Sequence, residues 1–252
     1  MRIVVIRSSI TKIKIMSTKK LSVIGDEQMT APTSSALSRR KFLSYVGASS
    51  ALLATASVVA SCDKDDMPSN GGVNLGSGDV GILNYAYALE QLEAAFYSRV
   101  VMSLYSGVTA TEQAFLTDIR DHEVAHRNFF KAALTAAGAT PLQDLEVNFS
   151  SIDFGSRTSV LNTAKAFEDL GVTAYNGAGK LLVTPAYLTI AGQIVSVEAR
   201  HAALIADLIS NGTFSDTTDA NGLDMARTPA QVLDIAKTYV VTKLDASNLP
   251  TS

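Results

Sequence analysis

The sequence twice places a glutamate three residues before a histidine on the apolar stripe of a predicted helix, and this repeated pair is its most constraining feature. Glu123 and His126 lie in DHEVAHRNFF, and Glu198 and His201 lie in SVEARHAAL. Residues three apart share one face of a helix, and a buried carboxylate without a partner costs several kcal/mol. The chain has only 3 histidines, so two such pairs are far more than chance would give. The pairs therefore predict two packed helices that direct carboxylates and imidazoles into one buried site.

Helical periodicity of apolar residues predicts four long helices. Gly107, Gly138 and Pro185 interrupt the pattern, and Thr109 or Thr111 can cap the second helix. The predicted helices cover about residues 79–105, 111–138, 157–183 and 186–210. Helices of this length are roughly twice the globular average of about 11 residues, which is typical of a bundle.

The connections predict how the bundle is wired. Short turns join helices one and two, and helices three and four, so each pair forms an antiparallel hairpin. The connection 139–156 is longer and irregular, and at about 3.3 Å per residue it can run the length of a long helix. It therefore predicts a crossover between two hairpins. The fold class is all-α, with a four-helix bundle over 79–212 and a C-terminal extension, 213–252, carrying a short helix after Thr228-Pro229. We expect this helix to pack on the outside or one end of the bundle.

The two hairpins form an internal repeat. LEQLEAAFY in the first helix aligns without a gap with FEDLGVTAY in the third, which pairs Glu90 with Glu168 and Tyr97 with Tyr175. Each hairpin thus supplies one glutamate and one Glu-x-x-His pair. One glutamate from each of two helices, with Glu-x-x-His from each of the other two, is typical of di-iron or di-manganese carboxylate sites.

These residues resemble the ferritin-like superfamily, in particular its exported branch that includes desiccation-related proteins. The resemblance covers about residues 79–210 and implies a ferritin-like four-helix bundle that binds two metal ions, iron or manganese. Glu123 and Glu198 would bridge the ions, Glu90 and Glu168 would be terminal ligands, and His126 and His201 would each bind one ion. Tyr97 and Tyr175 would lie near the site as hydrogen-bond donors or redox-active neighbours.

The chain departs from some members of the superfamily. Ferritins usually lack one of the six ligands, so the full set is closer to bacterioferritin and rubrerythrin. The single cysteine excludes a rubredoxin-type domain, so no built-in electron donor is visible. A closed iron-storage cage fits poorly with a lipid tether and a C-terminal extension.

Alternative interpretations stay open for several residues. The six buried side chains could pair with one another, although four buried carboxylates without a cation would be strongly destabilised. Glu93 could replace Glu90 as a ligand, but its repeat partner is Gly171, which favours an outer position. His122 is interpreted as a helix-surface residue or an outer partner near Asp118. Tyr97 and Tyr175 could equally be core aromatics.

Residues 38–62 predict export and a lipid anchor. Ser38 to Leu43 resembles the twin-arginine export signal, and Val59 to Cys62 resembles a bacterial lipobox, in which the cysteine is acylated and becomes the mature N-terminus. The alternative is an uncleaved helix of about 20 apolar residues that spans the membrane. Both interpretations predict a protein that is tethered to a membrane and works outside the cytoplasm. With the lipobox, it is an exported periplasmic or surface lipoprotein of the cell envelope.

The segments around the signal have simpler interpretations. The leader extension, residues 1–37, fits no signal over residues 1–28, which a start codon assigned too far upstream would explain. Residues 63–78 are acidic and then rich in glycine, serine and asparagine, which predicts a flexible linker.

The expected function follows from the site and the anchor. The formal net charge is −3 and the basic residues are scattered, which argues against nucleic-acid binding. We expect an envelope-tethered oxidase or peroxide-scavenging protein of oxidative or desiccation stress, with metal ions, dioxygen or peroxide, and the membrane as partners; a homodimer is compatible with it. The alternatives are a non-catalytic metal-sequestering protein and a structural stress protein stabilised by metal.

Overall fold

The structure, a computed structural model, describes residues 71–251 and consists mainly of four long helices. The leader, the export signal with Cys62, and linker residues 63–70 lie outside these residues. The helices are α1 (Gly78–Met102), α2 (Ala110–Ala136), α3 (Arg157–Ala178), α4 (Pro185–Ile209) and the short α5 (Pro229–Ala236), with a 3₁₀ turn at Gly179–Leu181 after α3. Two short strands, β1 (Val73–Asn74) and β2 (Leu244–Asp245), pair in parallel. The predicted all-α bundle is confirmed.

Local signals explain where the long helices begin. Of the two possible caps of α2, the structure uses Thr109, whose hydroxyl accepts from the Glu112 amide at 3.1 Å while the Glu112 carboxylate accepts from the Thr109 amide at 3.1 Å. Arg157, at the start of α3, donates to Glu112 at 2.7 Å and to the Leu208 carbonyl at 2.7 Å. These contacts tie the starts of α2 and α3 to the end of α4.

The helices pair as two antiparallel hairpins joined by the predicted crossover. α1 packs mainly on α2 and α3 mainly on α4, and α1 and α3 bring the hairpins together. The crossover runs beside α1, where two buried amides hold its backbone. Asn84 accepts from the Leu142 amide at 3.3 Å, and Gln91 accepts from the Leu145 amide at 2.8 Å. The path of the crossover is therefore fixed by α1.

The described end of the predicted linker is part of the folded domain. The Val73 amide donates to the Lys243 carbonyl at 2.8 Å, and Leu75 is fully buried. Asn84 donates to the Leu75 carbonyl at 3.0 Å. Residues 71–78 are therefore not a flexible linker, because the partner strand comes from the other end of the chain, which a local composition pattern does not reveal.

The C-terminal extension packs along the outside of α3. The Arg227 amide donates to the Thr173 carbonyl at 3.0 Å, and its guanidinium donates to the Thr173 hydroxyl at 2.8 Å. In the last part of the extension, Val232 is fully buried and Tyr239 packs edge-on against Phe167. Among residues 71–251, no helix has the length and apolarity needed to cross a membrane.

A glycine in α3 allows this packing, and its replacement should destabilise the domain. The Arg227 carbonyl lies so close to Gly177 that a methyl group there would overlap it. We expect Gly177→Ala to lower the free energy of unfolding by about 1–3 kcal/mol through overpacking. The control is Gly192→Ala in α4, where a methyl group meets nothing within 4 Å and should raise stability by up to about 1 kcal/mol. Urea unfolding measures both, and equal effects would contradict the close packing.

Candidate metal centre

Each of the four long helices places one glutamate in the middle of the bundle. Glu90 lies on α1, Glu123 on α2, Glu168 on α3 and Glu198 on α4, and all four are fully buried. Each follows the apolar spacing of its helix, so the same packing that builds the core turns its carboxylate inward. Four buried carboxylates in one layer are the central feature of the structure.

The six predicted ligands come together in two overlapping groups. One group contains Glu90, Glu123, His126 and Glu198, and the other contains Glu123, Glu168, Glu198 and His201. Within each group, one nitrogen or oxygen atom per residue lies within 4.8 Å of the others. Glu123 and Glu198 belong to both groups, which is the placement that bridging ligands require.

Both histidines turn Nδ1 towards the carboxylates. Nδ1 of His126 lies 3.0 Å from Glu198 and 3.4 Å from both Glu90 and Glu123. Nδ1 of His201 lies 2.9 Å from Glu123 and 3.4 Å from Glu168. None of these contacts has the geometry of a hydrogen bond. Each nitrogen therefore lies close to several carboxylate oxygens but has no hydrogen-bond partner among them.

The unsatisfied atoms of the site test whether a metal would fit it. Eight buried atoms of the six residues lack a hydrogen-bond partner: one oxygen each of Glu90 and Glu168, both oxygens of Glu123 and Glu198, and Nδ1 of His126 and His201. Unsatisfied buried polar atoms are costly and rare in native proteins. Carboxylate and imidazole donors suit iron, manganese and related divalent ions. The cluster is therefore compatible with a metal site.

Burial and close contact shift the pKa values of these groups strongly. Burial raises the pKa of Glu168 to about 8, with the charges of Glu123 and Glu198 adding to the effect. Burial also raises the pKa of Glu90 well above its usual range. Burial alone would raise the pKa of Glu123, but its contacts with both histidines outweigh this and lower it to about 2.

Burial has the opposite effect on the pKa values of the two imidazoles, but the neighbouring carboxylates outweigh it. Burial alone would lower the pKa of His201, but Glu123 and Glu168 outweigh it and raise the pKa to about 10. The pKa of His126 is raised for the same reason, by Glu123, Glu198 and Glu90. Without a cation, protons on His126, His201, Glu90 and Glu168 offset the negative charge of the cluster.

Two tyrosines connect the two hairpins. Each donates a hydrogen bond to Glu90 or Glu168, the two glutamates that belong to only one ligand group. Tyr97 of α1 donates to Glu168 of α3 at 2.5 Å, and Tyr175 of α3 donates to Glu90 of α1. Burial raises the pKa of both hydroxyls well above the usual range, so they remain donors at neutral pH. Each tyrosine thus orients a candidate ligand of the other hairpin.

Glu93 is a fifth buried carboxylate beside the cluster, and a glycine makes room for it. A Cβ atom on Gly171 would lie 3.1 Å from Glu93 Oε1 and 3.4 Å from Glu198 Oε2. Burial raises the pKa of Glu93 well above its usual range, and the charges of Glu198 and Glu123 add to this. Neither candidate ligand group contains Glu93. The repeat pairs Glu93 with Gly171, but sequence alone did not show that they touch.

His122 contacts the centre from the outside. Its Nδ1 lies 2.9 Å from Nε2 of His201, and the two rings stack with a 10° angle between their planes. The sequence placed His122 near Asp118, either on the surface or as an outer partner, and the structure shows an exposed side chain that is also a partner of His201. The repeat position on α4 is Val197, so only one of the two candidate histidine ligands has this support.

Comparison with known proteins agrees with the fold and the cluster. Residues 78–211, more than half of the chain, match the ferritin-like domain. No curated protein matches the chain. The matched range contains the four long helices, the crossover and all six candidate ligands. The chain belongs to the family of proteins with a ferritin-like domain.

Proposed function

We propose that the bundle holds two metal ions, iron or manganese, and acts as an oxidase or peroxide scavenger in oxidative or desiccation stress. The observation that carries this proposal is the pair of ligand groups that share Glu123 and Glu198. Each group offers three carboxylates and one imidazole, all from rigid helices. Two ions held side by side in this way suit the two-electron chemistry of oxygen species.

The residues of the proposed centre have different roles. Bound metal ions would supply two electrons. Together with two protons, these electrons would convert dioxygen to hydrogen peroxide, or hydrogen peroxide to two water molecules. Glu123 and Glu198 would hold both ions, while Tyr97 and Tyr175 keep Glu168 and Glu90 in place. The apolar core around the carboxylates keeps bulk water away from the reacting atoms.

The oxidation of ferrous iron tests this function directly. Metal-free protein is loaded anaerobically with two ferrous ions per chain and mixed with dioxygen or hydrogen peroxide in a stopped-flow spectrophotometer. We expect the ferric absorbance to appear at least about tenfold faster than in buffer with free ferrous ion, which corresponds to about 1.4 kcal/mol of barrier lowering. Glu123→Ala is the control and should react like free iron.

The same measurement separates the alternatives. A protein that binds iron without accelerating its oxidation would be a metal-sequestering protein or a bundle that metal only stabilises. Circular dichroism of the metal-free protein then distinguishes these two. Any bound ion raises the unfolding midpoint, but only a bundle that needs metal for its structure should lose its helices when the ion is removed.

We propose that the domain is tethered to the cell envelope through Cys62, as in the exported branch of the superfamily. The twin arginines Arg39 and Arg40, the apolar run that follows and the lipobox support this proposal. Cys62 precedes all six candidate ligands by more than 25 residues. The anchor and the metal centre should therefore be separable.

Replacing the cysteine tests the tether. We expect Cys62→Ser to remove the protein from the membrane fraction, as either a released or an unprocessed exported form, because serine cannot accept the lipid. Metal content per folded chain should be unchanged. Fractionation followed by metal analysis measures both, and loss of metal from a folded Cys62→Ser protein would contradict the assignment of Cys62 as an anchor.

A further inference from the structure

An apolar cavity lies between the four long helices on one side of the candidate metal centre. It is lined by residues from the first half of α1, the last part of α2, the end of α3 and the first half of α4. Its surface is almost entirely carbon. The cavity is therefore distinct from the carboxylate cluster, which is lined by oxygen and nitrogen.

The cavity extends from the bundle surface to the edge of the centre. Half-buried Tyr187 and Ile190 of α4 form its outer part. Its inner lining includes Tyr175, whose hydroxyl donates to Glu90, and Phe130, which follows His126 by one helical turn. Phe130 also packs against Tyr175, with ring centroids 6.4 Å apart. A molecule in the cavity would thus lie next to Tyr175, which holds Glu90 in place, and one helical turn from His126.

The size of the cavity limits what can occupy it. The cavity leaves a volume of about 20 Å³ for the centre of a water-sized molecule. By the same measure, roughly 10–15 Å³ is enough for one water molecule. A diatomic molecule fits, but an organic chain does not. Enclosed apolar cavities stay dry and bind nonpolar guests such as xenon, and the inner part of this cavity is lined by carbon in the same way. Water and hydrogen peroxide would lose their hydrogen bonds there, whereas dioxygen has none to lose.

The internal repeat shows that the bundle does not require this cavity. Aligning Glu168 with Glu90 pairs Ala174 with Phe96 and Ala178 with Val100, and aligning Glu198 with Glu123 pairs Ala191 with Leu116. The three alanines line the cavity, whereas their three larger counterparts are fully buried on the other side of the centre.

Aromatic side chains fill that other side. Phe96 packs against Phe167 with ring centroids 5.0 Å apart, and against Phe149 and Phe154 with centroids 6.0 Å apart. The same helical framework is thus closed on one side of the centre and open on the other.

We propose that this cavity binds dioxygen and delivers it to the centre at Glu90 and His126, so that dioxygen is the oxidant that enters by this path. This inference rests on the proposed function, and it names the substrate and the side from which it enters. The three alanines keep the path open, and Tyr175 forms its inner end.

The test fills the cavity with the residues of the closed half. Ala178→Val and Ala191→Leu introduce the side chains that stand at the repeat positions. The bundle already accommodates those side chains on the closed side of the centre. Ala166→Val, an exposed change on the same helix α3, is the control. Xenon binding, measured by crystallography under xenon pressure, reports on the cavity without any metal chemistry.

We expect one xenon site in the cavity of the unaltered protein and of Ala166→Val, and none in the two filled variants. In stopped-flow experiments with iron-loaded protein, the filled variants should react with dioxygen about tenfold more slowly or worse. Their reaction with hydrogen peroxide and their metal content should stay unchanged. This pattern would support delivery through the cavity.

Several results would overturn the proposal. Unaltered protein that oxidises iron but holds no xenon in the cavity would overturn the cavity assignment and the delivery role, but not the proposed function. Filled variants that keep the full dioxygen rate, or that slow both oxidants equally, would overturn the delivery role. Protein that binds xenon but reacts with neither oxidant would overturn the proposed function, and the delivery role with it.

Discussion

Glu123→Ala and Glu198→Ala should each reduce bound metal to near zero. Both residues belong to both candidate ligand groups, so in the proposed two-ion centre either change would remove an oxygen donor from both ions at once. Metal analysis by mass spectrometry, after loading with ferrous or manganous ion and dialysis, measures the loss.

Glu93→Ala is the matched control for these variants. It also removes a buried carboxylate, but from a residue outside both groups, so occupancy should stay nearly intact. Circular dichroism should show a folded bundle in all three variants. If Glu93→Ala empties the site while Glu90→Ala does not, the assignment of Glu90 as the ligand on α1 is wrong.

Metal affinity should increase steeply with pH, by about a hundredfold from pH 6 to pH 7. The pKa of Glu168 is about 8 and that of His201 about 10, so both hold a proton at pH 6–7 without metal. Ligands must be deprotonated to bind an ion, and each displaced proton contributes about a tenfold change in affinity per pH unit. Chelator competition at several pH values measures the slope.

The stability of the metal-free protein should fall over the same range. Glu168 has a raised pKa, so its burial becomes destabilising as pH rises from the unfolded value of about 4.5 towards about 8. The raised pKa of His201 gives stabilisation that is complete below about 6.5 and is lost as pH rises towards about 10. Both therefore weaken the metal-free fold at higher pH.

Glu112→Gln provides the control for the pH series, because Glu112 caps α2 and lies outside both ligand groups. This variant should keep the full dependence of metal affinity on pH. A slope of tenfold per pH unit or less in the unaltered protein would show that the centre does not hold both of the expected protons.

The sequence predicted the helices and the meeting of six side chains because both depend on local periodicity. Glu-x-x-His places two donors on one helix face whatever surrounds the helix, and the repeat carries the same geometry to the second hairpin. Helix ends moved by a few residues where tertiary contacts intervened: the last turn of α3 tightens into the 3₁₀ turn at Gly179–Leu181.

Contacts between distant segments could not be predicted in the same way. The pairing of Val73–Asn74 with Leu244–Asp245 joins residues far apart in the chain, and each strand is too short to give an alternating pattern. His122 meets His201 only because of the spacing between α2 and α4. The cavity is the space that several packed helices leave unfilled, so the sequence of one segment does not predict it.

The unequal partners of the two hairpins have a consequence for the electrons of the centre. Glu93 faces Gly171. His122 supports His201, whereas the repeat position of His122 is Val197, whose side chain cannot hydrogen-bond to His126. Ions in the two ligand groups would therefore experience different electrostatic fields, although their first ligands match. An odd electron would settle on one ion rather than be shared evenly, so the centre would be valence-localised. An internal repeat of the hairpin thus need not give two interchangeable redox positions.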